Sequence, residues 1–428
     1  MGDTAWVLTS AALVLFMVPG LAFFYGGMVR GANVLNMLLM NMVCLGIVPI
    51  VWFVAGYSLS SADGPGGIIG NFDHLLLKDI NLATMPLEDS LGVFFALTFA
   101  AITPALISGA VADRMKFGVW MAFVALWSLL VFVPTWAWIY GPDGWLTARG
   151  SLDFAGGTVV HVSAGAGALA LTLVLGRRRG WPTEAMPPHN VTFVLLGAGI
   201  LWFGWFGFNA GSSFAADGVA VVAFMNTFLA GAAAMLSWMV VERLKDGHFT
   251  GLGAASGIVA GLVAITPAAG FVGGISPILI GAAAGAICYF AIQLKFKMGY
   301  DDSLDVVGVH LVGGLVGGIL IGLFAHTAAV GAEAGAFEEG LFQAGGLGLL
   351  IEQIFANGVV LVYSFVVTGL IAKALDATVG LRVDAETETV GLDRAMHAES
   401  AYSSGLSSGG GAALGNGPGG FRAMQEQN

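Results

Sequence analysis

Apolar residues come in blocks about 20 long, divided by short polar stretches. A helix crossing the hydrocarbon core needs about 20 such residues at ~1.5 Å rise. Blocks of that length lie near 6–28, 34–58, 89–111, 118–139 and 155–176, then near 190–210, 218–241, 251–270, 275–295 and 305–326, with a long one near 345–372. The pattern predicts eleven transmembrane helices.

Composition agrees. With 57% hydrophobic and 10% charged residues, the apolar surface of 428 residues cannot be hidden in one water-soluble core. The fold class expected is an all-α polytopic membrane protein. The net charge of −11 comes largely from short loops and the C-terminal tail, so it implies little about partners, and no nucleic-acid surface is visible. Cys44 and Cys288 lie inside apolar runs, where they pack as small hydrophobes. The first apolar run is preceded by Asp3 and by no basic segment, and it is long enough to span, so it is expected to stay as a helix.

Charge orients the helices. Cytoplasmic loops collect Lys and Arg, and alternate loops carry Arg30, then Arg114 and Lys116, Arg177 to Arg179, Arg243 and Lys245, Lys295 and Lys297, and Lys373 with Arg382. The opposite loops hold only Lys78 and Arg149 among acids such as Asp63, Asp89, Asp143, Asp217 and Glu339. This places the N-terminus outside and the C-terminus inside. The segment AITPA occurs at 101–105 and again at 264–268, in the third helix of each five-helix set. Two units with an odd number of helices enter the membrane with opposite orientation, so the expectation is two inverted five-helix repeats plus a long eleventh helix, with a pathway between the repeats.

His161 and His310 then occupy corresponding places on the fifth and tenth helices. Each follows an aspartate in a related pattern, DFAGGTVVH and DVVGVH. An ionisable group at membrane depth costs about 2.5 kcal/mol or more and marks a pathway or a partner. Two facing imidazoles can share a proton and present one donor and one acceptor to a small polar guest. Phe99 in the third helix, Phe208 and Ser212 in the sixth, and Tyr140 and Trp138 at the end of the fourth would supply aromatic faces and a hydroxyl at an outward mouth. Such a mouth can hold a small cation, with cation–π contacts of ~2 kcal/mol when desolvated. An interfacial aromatic belt satisfies the same positions. There is no HExxH, no CxxC, no phosphate loop and no convergent carboxylate set, so neither an enzyme nor a metal or cofactor site is expected. His74, His189, His248 and His397 fall in loops or the tail, and His326 near the outer end of the tenth helix.

The segments FYGGMVRGANVLN (24–36), ITPALISGAVADR (102–114), DFAGGTVVHVSAGAGA (153–168), GWFGFNAGS (204–212) and DVVGVHLVGG (305–314) resemble the ammonium transporter family (Amt/Mep/Rh), in its bacterial or archaeal Amt form. The similarity covers about residues 4–402. It implies a homotrimer in the cell membrane, with a transport domain at 1–372, a cytoplasmic regulatory tail at 373–402 and a disordered Gly/Ser-rich end at 403–428. By motif match, Phe99 and Phe208 resemble the gate phenylalanines, His161 and His310 the twin pore histidines, and Ser212 the recruitment-site serine. Asp153 resembles the aspartate that organises the vestibule below it. Tyr140 stands where many members carry the recruitment tryptophan, with Trp138 as the other candidate for that wall. Ala96 replaces a glutamine of many relatives. The implied activity is recruitment of ammonium, its deprotonation and conduction of ammonia, electrogenic overall, with methylammonium as a further substrate and a PII-type signal protein as a cytoplasmic partner. An ammonium sensor signalling through the tail is the alternative.

Overall fold

The computed structural model describes residues 1–402 except Ala62 and Pro86 and the side chains of Leu87 and Glu88; the expected disorder of 403–428 lies outside the described residues. Eleven apolar helical segments follow one another: α1 (Gly2–Met28), α2 (Val34–Ser61), α3 (Asp89–Val111), α4 (Phe117–Ala148), α5 (Gly157–Leu175), α6 (Val191–Ser213), α7 (Gly218–Asp246), α8 (Gly251–Ile265), α9 (Ser276–Met298), α10 (Val307–Phe324) and α11 (Gly348–Val379). All but α8 are long and apolar enough to cross a membrane. Two short helices, α12 (Ala385–Val390) and α13 (Leu392–His397), complete the described chain. The only β pairing among the described residues is an isolated bridge between Met115 and Arg382.

The first AITPA copy stays helical through Pro104, whereas in the second the regular helix ends at Ile265 instead of continuing to 270. A Thr266 amide bonded to Leu262 closes the helix, and buried turns carry the chain to Val272, where the Pro267 carbonyl is free to accept from Phe154. α11 runs seven residues past the expected boundary at 372, because Ala374 to Val379 continue as a good helix with no breaker before Gly380.

Helix contacts rest on small residues. A Cβ on Gly165 of α5 would lie 2.4 Å from the Leu311 amide nitrogen of α10. Only a glycine lets the two backbones approach so closely, the packing mode favoured where lipid gives no hydrophobic drive.

Both α5 and α10 open with π-helical turns, Gly157–Val162 and Val307–Leu311. Buried carboxylates hold these turns. Asp153 accepts from the amides of Gly156, Gly157, Thr158 and Val159 at 2.7–3.2 Å, and Asp302 from those of Val306 and Val307 at 3.1 and 2.7 Å. The counterpart of Asp153 is therefore Asp302, eight residues before its histidine as Asp153 is, and not Asp305. Asp305 has a left-handed φ of 65° and its carboxylate pairs with Lys295 at 2.5 Å.

The basic loops gather at one end of the bundle. There Arg178 makes a bidentate pair with Asp301 at 2.9 Å and reaches Asp113 at 3.5 Å, while Arg30 approaches Asp113 at 3.4 Å. Arg114 is buried and donates to the carbonyls of Gly176, Ala112 and Asp301 and to the Ser303 hydroxyl. Burial lowers its pKa to about 10, so it remains charged at neutral pH. The tail docks on this end. Glu388 takes Arg382 and the Arg179 amide at 2.7 Å each, Asp393 accepts the Leu35 and Asn36 amides, and Tyr402 meets His189 at 2.8 Å. His397 of the tail reaches Asn36 at 3.0 Å.

Candidate functional site

At the acidic end of the bundle α2, α3, α4 and α6 surround a cavity of about 380 Å³. Its floor is an aromatic pair. The Phe99 and Phe208 rings lie 4.3 Å apart, centroid to centroid, and Phe95 abuts Phe99 at 4.9 Å. Ser212 and Tyr140 line the wall. The Ser212 hydroxyl donates to the Phe208 carbonyl at 2.9 Å, which leaves its lone pairs to accept from a donor in the cavity.

Trp138 does not reach this cavity. Its indole nitrogen donates to Ile68 at 2.7 Å and its ring packs on Trp145 and Tyr363, because two residues before Tyr140 is about 200° around the helix. The tryptophan that does line the wall is Trp136, one turn from Tyr140, with its ring 4.6 Å from Tyr140 and 5.9 Å from Phe99. The helical spacing of Phe132, Trp136 and Tyr140 carried that signal.

Asp153 sits under the vestibule wall. Burial raises its pKa, against the pull of the four amides that occupy its oxygens. With both oxygens so engaged it organises the π turn and has little capacity for a cation. The Tyr140 hydroxyl lies near this carboxylate without closing a regular hydrogen bond.

Beyond Phe99, on the other side of the aromatic pair, lies a separate space of about 10 Å³, lined by Phe208, Leu21, Ile102, Leu106, Val160, Trp205, Val259 and the two histidines. That is about the minimum that holds one water molecule. His161 and His310 meet here through their Nδ1 atoms at 3.3 Å, with ring planes 26° apart. In this contact one neutral ring donates and the other accepts. The His161 Nε2 is buried without a protein partner, so it is available to a guest in that space. Trp205, missed at the sequence level, stacks on His161 at 5.4 Å and is fixed by a 2.8 Å bond to Thr266 of the second AITPA copy.

A polar bracket from α11 secures both histidine helices. Gln353 bonds both main-chain groups of Leu152 and the Gly318 carbonyl of α10, while Asn357 accepts from Thr158 of the α5 π turn. The bonds of Gln353 to Gly318 and of Thr158 to Asn357 are buried inside the bundle, where unpaired polar groups are costly.

A bundle of apolar helices, ten of which among the described residues are long enough to cross a membrane, defines a multi-pass membrane protein. The model of the Ammonium Transporter Family matches residues 5–402. An ammonium transporter of Mycobacterium tuberculosis is 50% identical over 95% of this chain and 91% of its own length, and one of Bacillus subtilis 46% identical over 94% and 98%. The crystal structure of Candida albicans Mep2 superposes with a TM-score of 0.84 at 33% identity, covering 90% of this chain and 87% of that one. The chain belongs to the ammonium transporter family, a family of transporters and not of enzymes.

Proposed function

We propose that the protein recruits ammonium in the vestibule, removes its proton there or near the histidines, and conducts ammonia through the twin-histidine lumen with net charge movement. The observation that carries this is the His161–His310 contact in a space of about 10 Å³ beyond the Phe99–Phe208 pair. A passage that narrow strips the hydration shell. The idealised cost for an ammonium-sized ion is ~20 kcal/mol, with several kcal/mol left after relaxation, whereas cation–π contacts return ~2 kcal/mol each. Neutral ammonia avoids that cost and can bond to His161 Nε2. Potassium, having no proton to lose, stays outside.

In this reading Phe99, Phe208, Tyr140, Ser212 and Trp136 form the recruitment site and gate, Asp153 supports it, and His161 and His310 handle the proton. The eleven segments cross the membrane as inverted repeats with the basic end cytoplasmic, and the subunits form a trimer in the cell membrane. The spacing of eight residues from Asp153 to His161 and from Asp302 to His310 supports the repeat. The tail, bonded to the loops of the same end, is the surface where a PII-type protein would act. Sensing is the weaker reading, since the tail contacts described here turn inward onto the bundle.

The test is a solid-supported membrane recording on proteoliposomes. An ammonium jump should give a current and a potassium jump none. His161→Ala or His310→Ala should abolish the ammonium current or admit potassium. Unchanged flux and selectivity in both variants would remove the histidines from the mechanism.

A further inference from the structure

Beyond the aromatic site, the vestibule carries a carboxylate that the scheme above does not use. Among the described residues lining the cavity, Asp89 is the one with an acidic side chain, and it is exposed. Asp153, the buried acid nearby, has its oxygens taken by four amides. No ion pair is formed by Asp89 among the described residues, whereas Lys78 and Arg149 at the same end are paired with Asp79 and Glu352.

The placement of Asp89 is specific. Asp89, Gly92, Ala96 and Phe99 all line the cavity and follow one another at steps of three, four and three residues, which puts them on one stripe of α3. Ten residues separate the carboxylate from the gate ring, about 15 Å along the helix. Between them the stripe is stripped of bulk. A Cβ built on Gly92 meets nothing within 4 Å, and Ala96 adds only a methyl group. Tyr57 and Ser61 of α2 also line the cavity and contribute oxygen to the same mouth.

We infer that Asp89 is the centre of an outer capture subsite that holds a small hydrated monovalent cation and passes it down the bare stripe of α3 to the aromatic site. A cleft lined by one sign of charge raises the local concentration of its counter-ion. Here the hydrated cation keeps its shell, because the cavity of about 380 Å³ holds many waters. Ions are gathered by charge at Asp89, and discrimination is left to the rings below. An acid in the first turn of a helix also favours the helix dipole. That structural role predicts a change in stability and not in the salt dependence of transport.

This inference rests on the ammonium-recruitment reading, and the experiment separates the two. The half-saturating ammonium concentration is measured from peak currents of full-length protein in proteoliposomes, at ionic strengths near 0.01 M and 0.15 M. The screening length is ~30 Å at 0.01 M and ~8 Å at physiological strength, so a carboxylate about 15 Å from the gate is felt there only in the first. Asp89→Asn should raise half-saturation about threefold at low ionic strength, leave the maximal current unchanged, and converge with the wild type at high salt. Asp89→Glu should restore the wild-type value. Asp89→Lys should invert the dependence, so that added salt improves apparent affinity. Equal half-saturation of wild type, Asp89→Asn and Asp89→Lys at low salt overturns the capture subsite. So does a salt-independent loss of maximal current in Asp89→Asn with a lowered melting temperature, which identifies a structural acid. A wild type silent to ammonium in both current and internal alkalinisation overturns the transport reading instead.

Discussion

Trp136 and Trp138 stand two residues apart in PTWAWIY and do unrelated work. Trp136 faces the cavity between Phe99 and Tyr140, while Trp138 anchors Ile68 and packs on Tyr363. Removing the first ring should cost a cation–π contact of about 1–2 kcal/mol. Trp136→Leu is therefore expected to raise the half-saturating ammonium concentration about five- to thirtyfold, and Trp138→Leu to leave it within twofold in folded protein; current titrations check both. The positions of His161, His310, Phe99, Phe208, Ser212 and Tyr140 in one funnel were legible in the motifs. Trp136 was legible only as a period of four from Tyr140, and Trp205, though inside GWFGFNAGS, was not set apart by spacing from the aromatic residues around it. Asp302 was hidden differently. Asp305 stands closer to His310 in sequence and completes a tempting pattern, but its left-handed backbone and its pair with Lys295 take it out of the turn.

Elements show where local chemistry stops being informative. The block pattern located all eleven apolar segments, yet nothing in GTVVHV or VGVHL distinguishes a π turn from an α turn, since both use the same residues. In α5 and α10 buried carboxylates collect the first amides of the turn, partners far from evident in the local sequence, while the π turns at Trp52–Gly56 and Ser128–Phe132 have no such partner among the described residues. Such π turns concentrate at functional sites. The two AITPA copies make the same point, one remaining helical and the other breaking after Ile265 to fix Trp205. The α5–α10 contact at Gly165 is testable. A methyl there would stand 2.4 Å from the Leu311 nitrogen and 2.6 Å from its Cα, and backbone cannot yield as a side chain can. Gly165→Ala should cost about 1–3 kcal/mol by overpacking and spread the histidine pair. We expect a lower melting temperature and an ammonium current reduced at least tenfold, and normal values of both would disprove the close-contact account.

At the scale of the whole molecule the basic end is a polar lock under the apolar bundle. Burial alone would raise the Asp301 carboxyl, but its bidentate bond to Arg178, with Arg114 and the Arg178 amide, holds it below the free value of 3.8. Its stabilising contribution is then complete above that value and is lost as pH falls through the lowered pKa. Hydrogen exchange at 177–180, corrected for intrinsic rates, should stay flat from pH 7 to 4.5 and rise only below about pH 3.8; an earlier rise would show that the Asp301 pair does not hold this loop. Asp302 behaves oppositely. Its burial, with Asp305 adding and Lys295 opposing, raises it to about 6. By itself the sequence determined that this chain lives in a bilayer, how its apolar segments are spaced, which family it belongs to and where two histidines sit inside apolar helices, because hydrophobic length and short motifs are local quantities. Tertiary structure decided which tryptophan lines the vestibule, which aspartate holds the second π turn, how small the space around the histidines is and where the tail rests. Each of these depends on contacts between residues far apart in the sequence, made through close helix approaches such as that at Gly165 and through buried polar bonds.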